Sequence, residues 1–231
     1  MNRLSISGDD YVVGSNDPIA EPILPKIVTC PSDSEDYFDV YVTLAANPDN
    51  FTVTPHINSI EGSDMALLMD EMYTFYETPE NIIELNAYMI KRGQFLAAKW
   101  TDDNWYRVRV ETIVEREPLV LMCYFIDYGD IHTINFDKIQ PLFGNFRKLP
   151  MQAIKASLAY VTPINSDWEV IACHEFAKRV EQKAFVSTVT EIVIDKDNRP
   201  TLKLILCDTS GETDIVINDW LVQENYATKK G

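Results

Sequence analysis

Basic residues are scarce in this sequence, and nowhere do they cluster. Twenty Lys and Arg stand against 36 Asp and Glu, a formal net charge of −16 at pH 7. Proteins hold nucleic acid through grouped Lys and Arg that displace counterions from phosphate. Nucleic acid is therefore a poor partner for this chain, and a basic peptide a better one, because an acidic surface attracts and steers cations. The plainer alternative is that the charge only keeps the protein soluble. No run of about 18 apolar residues is present, so no membrane-spanning helix is expected. The polar start Met1–Asp10 lacks the apolar centre of a signal peptide. Cysteine is sparse too: Cys30, Cys123, Cys173 and Cys207 are scattered, with no CxxC pair. His56, His132 and His174 are equally dispersed, so ligand spacing for a metal is missing and neither metal nor cofactor is expected. Such cysteine usage fits a reduced, intracellular setting, with Cys123 and Cys207 serving as small core residues.

What the sequence does have is β-forming residues in a regular order. Phe95 to Ile134 reads as an antiparallel meander. Phe95–Trp100 forms a first strand, Thr101–Asn104 a polar turn and Trp105–Val114 a second strand. A charged loop, Glu115–Pro118, leads to a third strand at Leu119–Asp127, and Tyr128-Gly129-Asp130 turns the chain into a fourth. Strand direction alternates in a meander, so the first and last of these turns lie at one end. Trp100 and Tyr106 flank one turn, Phe125 and Tyr128 the other. Four rings converge on a single rim beside the carboxylate of Asp130, an arrangement suited to a cation.

On either side of the meander lie segments too small to bury a core separately. Residues 1–35 are polar and Pro-bearing, an extended lead-in. Tyr37–Ala45 and Phe51–Pro55 are strands around the turn Asn47–Asn50. Met65, Leu68, Met69, Met72, Phe75 and Tyr76 recur at helical spacing, with Pro79 just beyond. After the meander, 136–149 is read as a linker helix, Ala153–Val161 as a strand, and Ser166 to Glu169 as a capping box for a helix through Val180. Strands at Phe185–Ile194, Thr201–Cys207 and Asp214–Ile217 follow, then Trp220 and Leu221 as buried anchors and a tail at 227–231. The economical arrangement joins residues 36–78 and 150–226 into one sheet-and-helix domain with 79–135 inserted. The predicted fold class is mainly β with helices, α+β.

The strings AKWTDDNWYRVRV and CYFIDYGD closely resemble the Tudor domain. LPMQAIKASL and LCDTSGETDIVINDWLV resemble the flanks of an extended Tudor domain, in the style of Tejas/Tapas-like germline Tudor proteins. The resemblance covers roughly residues 36–226. It implies an SH3-like Tudor β-barrel plus a split staphylococcal-nuclease-like OB-fold barrel, joined by a linker helix. It implies a reader of symmetrically dimethylated arginine in Arg-Gly or Arg-Ala repeats of Piwi-class proteins, acting in cytoplasmic germ granules. The family's cage positions fall on Trp100, Tyr106, Phe125 and Tyr128, and its fifth, usually Asn, falls on Asp130. Arg107 and Asp127 match a pair that bridges inside the family's fold. The runner-up is a methylation-independent scaffold that recruits a germ-granule partner such as a DEAD-box-type helicase.

Methylation keeps the guanidinium charge but removes hydrogen-bond donors, favouring aromatic faces over a bidentate carboxylate. Each well-placed ring contributes about 0.5–2 kcal/mol. Asp130 accepts as Asn does and adds a charge, which strengthens attraction to any guanidinium and is expected to relax discrimination against unmodified arginine. Trp105 points opposite to Tyr106 by strand alternation, into the core or the domain interface. A nuclease-like barrel raises the question of catalysis. Asp195, Asp197, Arg199 and Asp208 offer no convergent metal ligands with arginines around a phosphate, so no enzyme is expected.

Overall fold

The computed structural model describes residues 37–56, 64–195 and 199–230. The chain opens with a hairpin of β1 (Phe38–Asn47) and β2 (Asn50–Pro55), then enters helix α1 (Asp64–Tyr76). The meander follows as β3 (Phe95–Lys99), β4 (Trp105–Arg116), β5 (Leu119–Phe125) and β6 (Ile131–Asn135), with β7 (Ile139–Pro141) after it. Then come β8 (Ile154–Leu158), β9 (Val161–Pro163), α2 (Val170–Val180), β10 (Lys183–Ile194), β11 (Pro200–Asp208), β12 (Ile215–Val216), α3 (Ile217–Gln223) and β13 (Ala227–Lys229). The class is α+β, mostly strand. In their described residues, one compact unit spans 64–151 and a second joins 37–56 to 152–230.

In the second unit β10-β1-β2-β8-β11 pair in that order and β10 pairs again with β11, closing five strands into a barrel. Its one parallel pairing sets β8 beside β11. Alternate residues of each strand point inward, among them Val40 and Val42 on β1 and Leu202, Leu204 and Leu206 on β11, all fully buried. Helix α2 lays Ala172, Phe176 and Val180 on this core, and the Phe176 ring meets Phe51 edge-on at 5.5 Å. Asn218 on α3 satisfies a buried gap: it accepts from the Leu206 N–H at 3.0 Å and donates to the Ala159 and Leu204 carbonyls.

The unit spanning 64–151 carries a five-stranded sheet in the order β6-β5-β4-β3-β7. One face buries Leu96, Val108, Val110, Leu121, Cys123 and Ile134. The other buries Phe95, Ala97 and Trp105 against α1, whose Leu68, Met72, Phe75 and Tyr76 share a cluster with Phe143 and Phe146. Tyr76 stacks on Trp105 at 4.7 Å and donates its hydroxyl to the Pro141 carbonyl at 2.7 Å.

Several sequence readings are corrected here. Helix α1 was assigned with residues 36–78 to the barrel of the other unit, but its apolar face finds its aromatic partners in the meander's own unit. Residues 136–149 are helical only in two 3-10 turns, Phe136–Lys138 and Gly144–Arg147. Between them β7 lies on the sheet edge, where Pro141 ends a strand without needing a ladder N–H. The spacing of Ser166 and Glu169 does not become a capping box. Helix α2 begins at Val170 with no side-chain cap, and Glu169 accepts from the Asn165 amide instead. The expected tail at 227–231 contains β13, which pairs with β9, and Trp220 is only partly buried. The lead-in 1–35, with Cys30, lies outside the described residues, as does Asp197.

Candidate functional site

The rim at the β3–β4 and β5–β6 turns is built from tightly tied backbone. Trp100 follows β3 and closes a short loop: its N–H donates to the Asn104 carbonyl at 2.9 Å, and its own carbonyl accepts from Asp103 N–H at 3.1 Å. Asp102 ties the loop further, accepting from the Asn104 backbone and side chain. Tyr106 enters β4 opposite Ala98, whose small side chain leaves the ring room. At the other turn Phe125 ends β5, and its carbonyl accepts from Tyr128 and Gly129 N–H while its N–H donates to the Asp130 carbonyl. Gly129 sits at φ +91°, a left-handed conformation that a side chain would strain. That turn is what brings Tyr128 and Asp130 back over Phe125.

All four sequence-predicted rings and Asp130 lie together. Phe125 is the buried floor, 5.5 Å from Trp100 and 5.4 Å from Tyr106 by ring centroid. Tyr128 stands edge-on to Tyr106 at 5.4 Å and, at 36% exposed, is the open wall. The four rings thus gather at one rim with faces and edges both turned inward on the group, the kind of grouping whose quadrupoles attract a cation.

Two members of this constellation were missed by sequence reasoning. His132, two residues beyond Asp130, lies tilted against Trp100 at 4.3 Å and meets Phe125 edge-on at 5.2 Å. Its Nε2 lies 2.5 Å from Asp130 Oδ2. The other oxygen, Oδ1, is shielded from solvent and has no hydrogen-bond partner among the described residues. Strand alternation was the available signal, because residues 130 and 132 fall on one face. The second is Asp102, which accepts the Tyr106 hydroxyl at 2.6 Å.

Electrostatics make the rim a place for positive charge. Burial, and then the nearby charges of Asp127, Asp102 and Asp130, push the Tyr128 hydroxyl up to about 12. Burial and the bond to Asp102 push Tyr106 further up. Both phenols are neutral at physiological pH, and the negative charge belongs to the carboxylates. For Asp102 burial opposes ionisation, but bonds from Tyr106 and Asn104 outweigh it and hold the carboxyl below its usual range.

Arg107 and Asp127 meet beneath the rim and are both buried. Nε donates to Oδ2 at 2.9 Å and Nη2 to Oδ1 at 2.5 Å, a bidentate pair. Nη1 also donates to the Phe146 and Leu149 carbonyls and Nη2 to that of Pro150. Trp105 lies on the opposite face from Tyr106, donating Nε1 to Glu77 at 2.8 Å. In the other unit, Asp195 accepts from Arg199 beside the β10–β11 hairpin, while Asp208 binds Ser210 at the far end of the same ladder. These acidic groups do not converge.

The chain is similar to known proteins over most of its length. The Tudor domain family profile matches residues 33–160. Mouse Tudor domain-containing protein 7 is 36% identical over 197 residues, 83% of this chain and 17% of that protein. The chain thus spans about a sixth of that relative's length. Among solved structures, the extended Tudor domain TD3 of mouse TDRD1, in complex with a MILI peptide containing dimethylarginine, aligns with a TM-score of 0.70 at 23% identity. It covers 88% of this chain and 98% of that one. The extended Tudor domain of Drosophila melanogaster Papi aligns with a TM-score of 0.71 at 22% identity, over 85% of this chain and all of that one.

Proposed function

The chain belongs to the Tudor-domain family, and from that premise we propose that it is a non-catalytic module that binds symmetrically dimethylated arginine in Arg-Gly or Arg-Ala-rich segments. The carrying observation is the rim itself: Trp100, Tyr106, Phe125 and Tyr128 grouped within ring-contact distance, with the carboxylate of Asp130 at its edge. A dimethylated guanidinium keeps its charge and presents methyl groups to the rings. In the symmetric form each terminal nitrogen retains one N–H, which a single carboxylate oxygen accepts. Rings at about 0.5–2 kcal/mol apiece supply a few kcal/mol, enough for a weak to moderate complex after the peptide is ordered.

Piwi-class proteins are the proposed partners, and cytoplasmic germ granules the proposed setting. The TDRD1 domain was solved with a dimethylarginine-bearing MILI peptide, and a Papi variant with Piwi N-terminal peptides. Calorimetric titration of an Arg-Gly peptide in unmodified, symmetrically and asymmetrically dimethylated forms tests the reading. The symmetric form is expected to bind tightest, with Tyr128→Ala weakening it about tenfold, the value of one good cation–π contact. In germ cells the same substitution in the intact protein is expected to reduce granule-associated recovery of Piwi-class proteins. No binding in any form, or binding indifferent to Tyr128→Ala, overturns the proposal.

A further inference from the structure

The five-stranded sheet of the unit spanning 64–151 has two outer strands, β7 and β6, and their edges differ. β7 is closed off. Pro141 ends it, the Tyr76 hydroxyl bonds the Pro141 carbonyl, and the Gln140 side chain accepts from the Ile83 N–H. Among the described residues β6 pairs with β5 alone. It carries none of the residues that commonly guard an edge: no proline, no lysine and no carboxylate lies within Ile131–Asn135. Its ladder tells which backbone groups face outward. The Phe125 N–H donates to the Asp130 carbonyl, so residues 125 and 130 form a hydrogen-bonded pair. Such pairs alternate with non-bonded ones along an antiparallel ladder, and the register runs unbroken from Tyr124 against Ile131 to Val120 against Asn135. His132 and Ile134 therefore turn their N–H and C=O to β5. Those of Ile131, Thr133 and Asn135 point away from it, and all three residues are exposed.

We propose, resting on the reading of the rim as an arginine site, that the open edge of β6 binds the backbone of the same ligand as an added strand. The rim takes the arginine side chain and the edge takes the chain that carries it. β6 begins one residue after Asp130, so a peptide laid along it passes the rim at its near end. An arginine at that end lies beside Asp130, and the residues next to it offer their N–H and C=O to Ile131, Thr133 and Asn135. Main-chain pairing supplies affinity without asking for particular side chains, which suits repetitive arginine-rich segments of little sequence variety. A second copy of this chain fits the edge less well. It brings another charge of −16 to the contact, and an edge of five residues buries far less than the roughly 1,000 Å² of a stable interface. An arginine-bearing peptide brings the opposite charge and is held by the rim as well.

The test uses the full chain and an Arg-Ala peptide with one symmetric dimethylarginine, alanine being chosen because glycine gives up more backbone entropy in a strand. A single backbone N-methyl group is moved along the residues flanking the dimethylarginine, and each peptide is titrated by calorimetry. An added strand uses every second peptide N–H. Affinity is therefore expected to drop about fivefold at alternate positions, the net value of one backbone hydrogen bond, and far less at the positions between. On the protein side, Thr133→Pro deletes an outward N–H that β5 does not use. Its reference ligand is dimethylarginine capped as the N-acetyl methylamide, which engages the rim and is followed by NMR. Thr133→Pro is expected to lower the ratio of peptide affinity to capped-residue affinity about fivefold. Thermal melting identifies a Thr133→Pro protein that has lost its fold, and the N-methyl series on the wild type then decides. An N-methyl effect that is absent or shows no alternation overturns the proposal, and so does an unmoved ratio in folded Thr133→Pro. Dimerisation of the wild type that Thr133→Pro abolishes assigns the edge to a second copy and overturns it too. In each case binding of the capped residue leaves the arginine site standing. If neither peptide nor capped residue binds the wild type, the reading of the rim fails and the proposal fails with it.

Discussion

Arg107 has five N–H groups and donates to five acceptors, two on Asp127 and three backbone carbonyls at 146, 149 and 150. It therefore ties β4 to the segment after β7 as well as neutralising a buried carboxylate. Asp127→Ala leaves that guanidinium buried with part of its shell gone. It is expected to destabilise the chain by about 3–5 kcal/mol, read as a drop in the denaturant midpoint. Asp127 still reaches the rim: after burial, it is with Asp102 and Asp130 one of the charges that raise the Tyr128 hydroxyl. The rings and Asp130 were legible in the sequence because two turns of one meander lie at one end. His132 and Asp102 were not. Each acts through a neighbour, His132 through the Trp100 ring and the Asp130 oxygen, Asp102 through the Tyr106 hydroxyl. In the sequence one is a dispersed histidine and the other a turn aspartate of ordinary kind.

Helix α1 is fastened to the meander at its end by Glu77, which accepts from Lys99 Nζ and Trp105 Nε1, both at 2.8 Å. Those two bonds, Lys99 first, hold the Glu77 carboxyl below its ordinary value of 4.5. A depressed folded pKa gives stability that is fully present above the ordinary value and is lost as pH falls through the lower folded one. Glu77→Gln is accordingly expected to destabilise the protein at neutral pH and to flatten the loss of stability below pH 4.5, measured as melting temperature against pH. The helix itself was legible from the spacing of Met65, Leu68, Met72 and Phe75. Its home was not, because an apolar face does not name its partner: it packs on Phe95 and Trp105 of the meander and on Phe143 and Phe146 beyond it. The linker shows the reverse failure. Phe136–Phe146 has enough apolar residues to suggest a helix, yet edge pairing of Ile139–Pro141 with β3 outweighs local preference. Similarly, capping-box spacing before α2 gave no cap, because Glu169 accepts from the Asn165 amide at 2.8 Å instead.

At the scale of the whole chain, a charge of −16 acts on encounter more than on residence. For an arginine-rich peptide the association rate is expected to fall at least about tenfold between low and near-molar salt, with dissociation far less affected. Stopped-flow mixing across a salt series measures both, and a salt-insensitive association rate would show that the surface charge does no steering. The insertion itself bears on how the molecule comes to exist. β2 and β8 are ladder neighbours, Val53 facing Ile154, although about a hundred residues lie between them. Closing a loop of that length, compared with one of about ten residues, costs about 2 kcal/mol more in chain entropy. A chain emerging from the ribosome makes β1 and β2 early and leaves the edge of β2 without its partner until β8 arrives. If residues 64–151 fold first, the long loop becomes short, and most of that entropy is lost before the barrel begins to close. The barrel's speed of assembly, and the time its open edge is exposed to other nascent chains, then depend on residues that form no part of it.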